Sequence, residues 1–322
     1  MPRKEANHLK WGIVGTGYMA SVWADLLLNS RIGVLDAVCS RDTARADVFA
    51  RRFGARQSYG DVNEMLVMQM GKLDCIYVAT PLENHATTIA KCLRAGFNVL
   101  TEKPATERAE EWAGLMALAK GQGSFLAEGM WTRCLPTFRQ AEEWMGHGRI
   151  GAIRWIRADL QKFVAPGPGG KRSGVLMDYG VYPLYLACHF LGGAPQRIDF
   201  RKRLSSGEFD ADWGIIAERN GVTALLNISS SFAGGNRAAI IGEHGAIEWG
   251  DPFNRTNQIL LHDFRDGSVI QKTYPYHGDG FEHQLADVTR SIQRGLVESS
   301  LLTHQMTLET LYFAERLQSQ NT

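Results

Sequence analysis

The hydrophobic pattern of the chain changes character near residue 128. Before that point, short apolar runs alternate with stretches of helical composition. Residues 10–14, 34–40, 73–80, 98–101 and 124–130 read as strands. The run at 73–80, with Ile76 and Val78, is nearly unbroken, which suits a strand of parallel sheet covered on both faces. Helices are expected from the residues after Gly17 to about Asn29, and over 42–53, 61–69, 84–95 and 107–120. Asp42 is placed to cap the second, and Gly96 to end the fourth in a left-handed conformation. Strands alternating with helices of about 10–15 residues predict a parallel, right-handed, doubly wound sheet.

After residue 128 the order is different. A helix is expected at 135–145, a long alternating strand at 151–163, a Pro/Gly/basic and mobile loop at 164–174, and a helix at 178–191. From 196 to 274 the pattern is mostly strand and turn, a meander with antiparallel character. Helices at 280–294 and 304–318 follow. The expected division is a first domain over 1–128 and an α+β domain with an open, mostly antiparallel sheet over 129–322.

The first strand runs directly into Gly15-Thr16-Gly17-Tyr18-Met19-Ala20. This fits the dinucleotide fingerprint G-x-G-x-x-G/A: Gly15 for the tight turn, Gly17 for close approach of the pyrophosphate, Ala20 for close packing of helix on strand. The helix amino terminus then offers free N–H groups to phosphate. Alone the motif is weak. Between a strand and a helix, inside a βαβ unit, it predicts a Rossmann dinucleotide-binding domain.

The end of the second strand bears on which dinucleotide. NAD enzymes usually place Asp or Glu there for the ribose hydroxyls. This chain has Ser40 and Arg41, which can donate to a 2′-phosphate and stack on adenine. NADP is therefore expected over NAD. Asp42 would repel that phosphate if it turned inward, a complication that its capping role removes.

Composition narrows the classes. Net charge is +1, with 44% hydrophobic and 21% charged residues, which points to no nucleic acid and no membrane surface. The start has no apolar signal core, and the cysteines are scattered without a C-x-x-C pair, as expected of a reduced cytoplasmic protein. His244, His262, His277, His283 and His304 share no ligand spacing, so no metal is expected.

The segments GTGYMA, VATPLENHATTIAKCLRAGFNVLTEKP, EGMWTRCLPTFR and MDYGVYPL resemble the Gfo/Idh/MocA oxidoreductase family, over essentially the whole chain. The EGMWTR and D-x-G-x-Y-P pieces look most like its dihydrodiol dehydrogenase and NADP-linked xylose dehydrogenase branch. The resemblance implies a Rossmann domain followed by an open sheet whose outer face often makes a dimer, hence a homodimer or higher homo-oligomer. It makes Lys103 the EKP lysine and puts Tyr182 where many relatives carry a catalytic His. Tyr182 as base with Lys103 as electrostatic partner would serve oxidation of a secondary alcohol, because a nearby ammonium favours phenolate. The reverse assignment, with Lys103 moving the proton, stays open. Asp178, four residues before Tyr182, could orient Lys103, accept a substrate hydroxyl, or cap the helix.

Other candidates are Thr80, Pro81, Asn84 and His85, beside the expected nicotinamide ribose, and Glu102, which could touch the nicotinamide end or orient Lys103. Trp131 and Arg133 could wall the substrate pocket, and interdomain packing is the competing reading of Trp131. The leading expectation is an NADP-dependent dehydrogenase of a small-molecule cyclic alcohol or sugar: an aldose, a cyclic polyol or a trans-dihydrodiol. The alternatives are an NAD-retaining glycoside hydrolase of the same family, which would not call for Ser40-Arg41, and a non-catalytic nucleotide-binding sensor, which would need none of Lys103, Asp178 and Tyr182.

Overall fold

The computed structural model describes residues 8–163, 174–205, 209–276 and 278–319. The chain forms two compact units: Met1–Trp131 with Phe281–His304, and Thr132–Gly280 with Gln305–Thr322.

In the first unit, strands β1 (Leu9–Val14), β2 (Gly33–Cys39), β3 (Gln57–Tyr59), β4 (Cys75–Val78), β5 (Asn98–Thr101) and β6 (Leu126–Glu128) make one sheet in the order β3-β2-β1-β4-β5-β6. Every neighbouring pair is parallel. Helices α1 (Tyr18–Asn29), α2 (Thr43–Phe53), α3 (Val62–Met68), α4 (His85–Arg94) and α5 (Ala109–Gln122) connect them. Strand β3 was not expected. Its three residues carry no apolar run, and it exists through pairing with Ala37–Cys39 of β2. Strand order reverses between β1 and β4, the place where doubly wound sheets bind ligands. A column of aromatic rings lies beneath that point: Trp11 against Trp23 with centroids 5.5 Å apart, and Trp23 stacked on Tyr77 at 4.9 Å. Asp42 caps α2 by accepting from Arg45 N at 3.1 Å. Gly96 has φ 80°, the left-handed stop expected after α4.

The second unit carries α6 (Pro136–Gly146), β7 (Ile153–Gln161), α7 (Val181–Leu191), β8 (Arg197–Leu204), β9 (Asp210–Arg219), β10 (Val222–Ser229), β11 (Ala238–Gly242), β12 (Gly245–Trp249), β13 (Gln258–Asp263) and β14 (Val269–Thr273). The strands form one sheet, β14-β13-β12-β11-β7-β10-β9-β8. All pairs are antiparallel except β7 with β10. The expected meander is thus two runs separated by β7, because the chain crosses over through α7 before β10 returns beside β7. Nearly every side chain of α7 is buried, with Phe190, Trp249 and Phe138 forming an aromatic cluster. The loop expected at 164–174 lies, except for Gly174, outside the described residues.

The last two helices are α8 (Phe281–Gln293) and α9 (His304–Ser319). Helix α8 and the segment after it belong to the first unit. Gln284 Nε2 donates to Glu128 O at 3.1 Å, and Leu126 N donates to Val297 O at 3.0 Å. His304 Nε2 lies 2.8 Å from Leu126 O, and its own carbonyl accepts from Trp112 Nε1 at 3.0 Å. The outer edge of β6 is thereby covered. Helix α9 packs in the second unit, where Glu309 O accepts from Cys188 Sγ. Among the described residues no helix is long and apolar enough to cross a membrane.

Candidate active site

The dinucleotide loop is shaped by two glycines with different reasons to be glycine. Gly15 has φ +117°, and a Cβ there would sit 2.3 Å from Ala79 O at the end of β4. Its N–H donates to Cys39 O at 2.9 Å, tying the loop to the end of β2. Gly15 is therefore required by the fold itself. Gly17 is in extended backbone, and a Cβ there would meet nothing within 4 Å. Its missing side chain leaves open space at the start of α1, the room a pyrophosphate needs. Helix α1 has no side-chain cap and no acidic residue in its first turn, so its amino end presents positive partial charge. Thr16 and Met19 are half-buried, Tyr18 is 82% exposed, and Ala20 is buried against the sheet. These residues fit a dinucleotide.

At the end of β2, Ser40 is half-buried and donates its N–H to Tyr59 O at 3.1 Å, while Arg41 is exposed. The Asp42 carboxylate is engaged in the α2 cap and does not stand as an acid facing Ser40. Burial pushes the Cys39 thiol up to about 11, so this cysteine behaves as a small apolar residue. The five cysteines are all buried and unbridged.

The carboxyl ends of β4 and β5 form a densely bonded corner. Glu102 is buried, and its Oε1 accepts from the Tyr77 hydroxyl while Oε2 accepts from Lys103 N at 3.1 Å. Burial pushes the Glu102 carboxyl above its ordinary value, against the opposing pull of Lys103, Tyr77 and His85. Lys103 is half-buried and is followed by a cis peptide to Pro104. Behind it, Ala105 N donates to Glu128 Oε1 at 3.0 Å, and Gly129 N to Thr101 O at 2.6 Å. The turn after β4 contains Thr80, Pro81 and a single 3-10 turn over Leu82–Asn84. His85, only 2% exposed, places Nε2 2.9 Å from Thr80 O and Nδ1 3.0 Å from Pro104 O. The Thr80 hydroxyl is buried with no hydrogen-bond partner, an orphan donor at the sheet edge where a ribose would lie. Gly15 to Met19, Ser40, Arg41, Thr80 to His85, Glu102 and Lys103 thus collect along one edge of the six-stranded sheet.

Trp131, also in the first unit, is 4% exposed and stacks on Phe281 with centroids 4.3 Å apart. Arg133 is in the second unit. It is 4% exposed and donates from Nη2 to Glu142 Oε1 at 2.6 Å. His189 Nε2 lies 3.0 Å from the same oxygen. Burial raises the Glu142 carboxyl, but the His189 hydrogen bond and the Arg133 charge outweigh it and hold the group below the ordinary range. Arg133 Nε and Nη1 are buried without partners.

Tyr182 is the second residue of α7 and is buried at 8% exposure. A π-helical turn, Leu176–Gly180, leads into α7 and carries Asp178, which is exposed. Such turns recur at functional positions in helices. The capping reading of Asp178 is corrected here. Asp178 is the third residue of the turn, inside it, and Leu176 N donates instead to Asp210 Oδ2 at 2.8 Å. Among the described residues no three His, Cys, Asp or Glu side chains gather as a metal site.

Three side chains that shape these corners were not singled out from sequence: Tyr77, Glu128 and Asp210. A lone Tyr in a buried aliphatic strand is the one signal that could have drawn attention, since its hydroxyl must find a partner.

Residues 9–130 match the profile described as the oxidoreductase family with NAD-binding Rossmann fold, and residues 138–248 match the Gfo/Idh/MocA C-terminal domain. Trans-1,2-dihydrobenzene-1,2-diol dehydrogenase of Sus scrofa is 28% identical over 309 residues, covering 92% of this chain and 91% of that protein. The scyllo-inositol 2-dehydrogenase (NADP(+)) IolU of Bacillus subtilis (strain 168) is 26% identical, with 97% of each chain covered. Among solved structures, KijD10, a 3-ketoreductase from Actinomadura kijaniata in complex with TDP-benzene and NADP, superimposes with a TM-score of 0.82 at 26% identity, covering 97% of this chain and 98% of that one. Sheet order, dinucleotide loop and both profiles agree: the chain belongs to the Gfo/Idh/MocA family of nicotinamide-dependent oxidoreductases.

Proposed function

We propose that the protein is an NADP-dependent dehydrogenase acting on a secondary alcohol carried by a ring: an aldose, a cyclic polyol or a trans-dihydrodiol. The observation that carries this reading is the meeting, on one sheet edge, of open space at Gly17 with a braced Lys103 at the end of β5. A dinucleotide lying along that edge brings its nicotinamide to the Thr80 and Lys103 end. NADP is favoured over NAD because the Asp42 carboxylate is occupied by Arg45 N, which leaves Ser40 and Arg41 for a 2′-phosphate. The relatives' names, which include dihydrodiol, inositol and NADP(+), support the same substrate class and cofactor.

Bound NADP would take the hydride at its nicotinamide. The chain's own part is to hold the alcohol and move its hydroxyl proton. We assign Tyr182 as the base, Lys103 as the cation that favours its phenolate, and Asp178 as the group that orients Lys103 or a substrate hydroxyl. Trp131 and Arg133 are assigned to the substrate side, Arg133 through the two donors that have no partner. Residues 1–128 would then serve the cofactor, and 129–322 the substrate and self-association. Trp155 and Ile216, 46% and 45% exposed on one face of the eight-stranded sheet, support a homodimer through that face. The buried, unbridged cysteines support a cytoplasmic location.

The test is steady-state reduction of NADP over a panel containing D-xylose, scyllo-inositol and a trans-dihydrodiol. Turnover of a ring alcohol is the expected result. NADP binding without turnover on any member would overturn the dehydrogenase reading in favour of a nucleotide sensor.

A further inference from the structure

The π-helical turn Leu176–Gly180 opens on backbone N–H groups that have no carbonyl behind them in the helix, and Val175 before it supplies no side-chain cap. The acceptor comes from another element. Asp210, the first residue of β9 and 34 residues further on, takes the Leu176 N–H on Oδ2 at 2.8 Å. The same oxygen accepts from the Trp213 indole N–H at 2.5 Å, and Trp213 is 4% exposed. A buried ring on the same strand thus aims the carboxylate at the turn. Gly174 completes the seat: it has φ +74°, and a Cβ there would overlap Asp210 Oδ1.

The other end of the turn is fixed by packing. A Cβ on Gly180 would lie 3.1 Å from Cδ1 of Ile228, a fully buried residue of β10. The turn is therefore held at its first residue by a charge-assisted hydrogen bond from β9, and at its last by close approach to β10. Asp178 stands between these two anchors, and Tyr182 is two residues beyond the second. A π turn holds one residue more than an α turn, and one residue is about 100° of helical rotation. Loss of the π register would re-aim Tyr182 by that order.

We propose that Asp210 is a positioning residue for the reaction: it ties the first N–H of the π turn to the start of β9, and so sets the register in which Asp178 and Tyr182 are presented. This rests on the reading that Tyr182 and Asp178 act in the reaction. It assigns Asp210 no contact with substrate or cofactor.

The test has two arms. In backbone hydrogen exchange on the full chain, the Leu176 amide should exchange at least about tenfold faster in Asp210→Ala than in the wild type. In Asp210→Asn it should keep nearly the wild-type rate, because one side-chain carbonyl can accept both N–H groups. Equal exchange in the wild type and the Ala variant overturns the inference and leaves the functional reading intact. In the second arm, Asp210→Ala should lower kcat for the panel alcohol by at least about tenfold with Kd for NADP unchanged, and Asp210→Asn should recover most of the loss. In a Tyr182→Phe background the Ala substitution should cost less than about threefold, since its effect runs through the turn that carries the tyrosine. Unchanged kcat in the Ala variant, equal loss in the Ala and Asn variants, or an undiminished loss in the Tyr182→Phe background overturns the positioning role. If the Ala variant does not fold, Gly174→Ala, whose Cβ displaces the same carboxylate, takes its place in both arms with the same expected losses. A wild-type chain with no turnover would overturn the functional reading and the part of the inference that concerns Tyr182, while the exchange arm still decides whether Asp210 holds the turn.

Discussion

The Lys103 end of the first unit's sheet edge and the Ser40 end are built in opposite ways. At the end of β5 several polar groups are tied to residues far away in sequence. Glu102 is held by Tyr77, Ala105 by Glu128, and Pro104 O by His85. At the end of β2 the side-chain partners are close neighbours, although the backbone reaches Tyr59 and Gly15: Asp42 N donates to Ser40 Oγ, and Asp42 itself accepts from Arg45 N. Arg41 is exposed, and among the described residues no long-range contact fixes it. The first arrangement suits a group whose position decides the chemistry, because small displacements there are costly. The second suits recognition of an exposed phosphate, where a flexible cation suffices and substitution changes little else. If the proposed reading of Ser40 and Arg41 holds, cofactor choice could be altered at β2 without disturbing the corner at β5.

That contrast can be broken in four ways, in falling order of effect. Lys103→Ala should lower kcat by about a thousandfold, and Tyr182→Phe by a similar factor, while NADP still binds; the measurement is steady-state turnover alongside cofactor titration. Full activity in either variant would remove it from the mechanism. Gly15→Ala is next, because its Cβ would meet Ala79 O at 2.3 Å in a left-handed backbone. A loss of roughly 2 kcal/mol or more in unfolding free energy is expected, with cofactor binding impaired. Arg41→Ala should weaken NADP by about tenfold and leave NAD nearly untouched. Equal weakening of both would show that Arg41 does not read the 2′-phosphate.

The smallest effect concerns Glu102. Its carboxyl is held above the ordinary value of 4.5 by burial, so the folded chain binds this proton more tightly than the unfolded chain. The contribution to stability is fully present below that value and declines as pH rises from it to the raised folded value. Glu102→Gln should remove the decline. Urea unfolding of both proteins from about pH 4.5 upward should show the wild type losing ground to the variant as pH rises. A constant difference would mean that the Glu102 proton is not linked to folding.

Much of the braced corner was hidden in the sequence, while the β2 end was open to reading. Local rules locate the dinucleotide loop, the Asp42 cap and the Gly96 stop because each depends on a few adjacent residues. The parallel, doubly wound character of the first sheet follows from alternating strands and helices. Strand β3 escapes because three residues without an apolar run carry no period. The Asp178 cap fails because a π-helical turn shifts the helix start toward Leu176, where Asp210, distant in sequence, does the capping. The contacts of Glu102 with Tyr77 and of His85 with Pro104 O span 25 and 19 residues and require the β4–β5 pairing before they exist. The same limit hides the membership of Phe281–His304 in the first unit, since nothing in its amphipathic pattern names its partner.

That last segment has a bearing on how the protein is made. Strand β6 gains its outer cover from Val297 and His304, and Glu128 O its donor from Gln284. A ribosome releases those residues only after Thr132–Gly280 of the second unit has emerged, so the nascent first unit waits with a bare strand edge while some 150 further residues are synthesised. The first unit is begun first yet closed only after most of the second has been made, and a fragment ending at Trp131 would carry that edge permanently, as a surface for pairing with other chains.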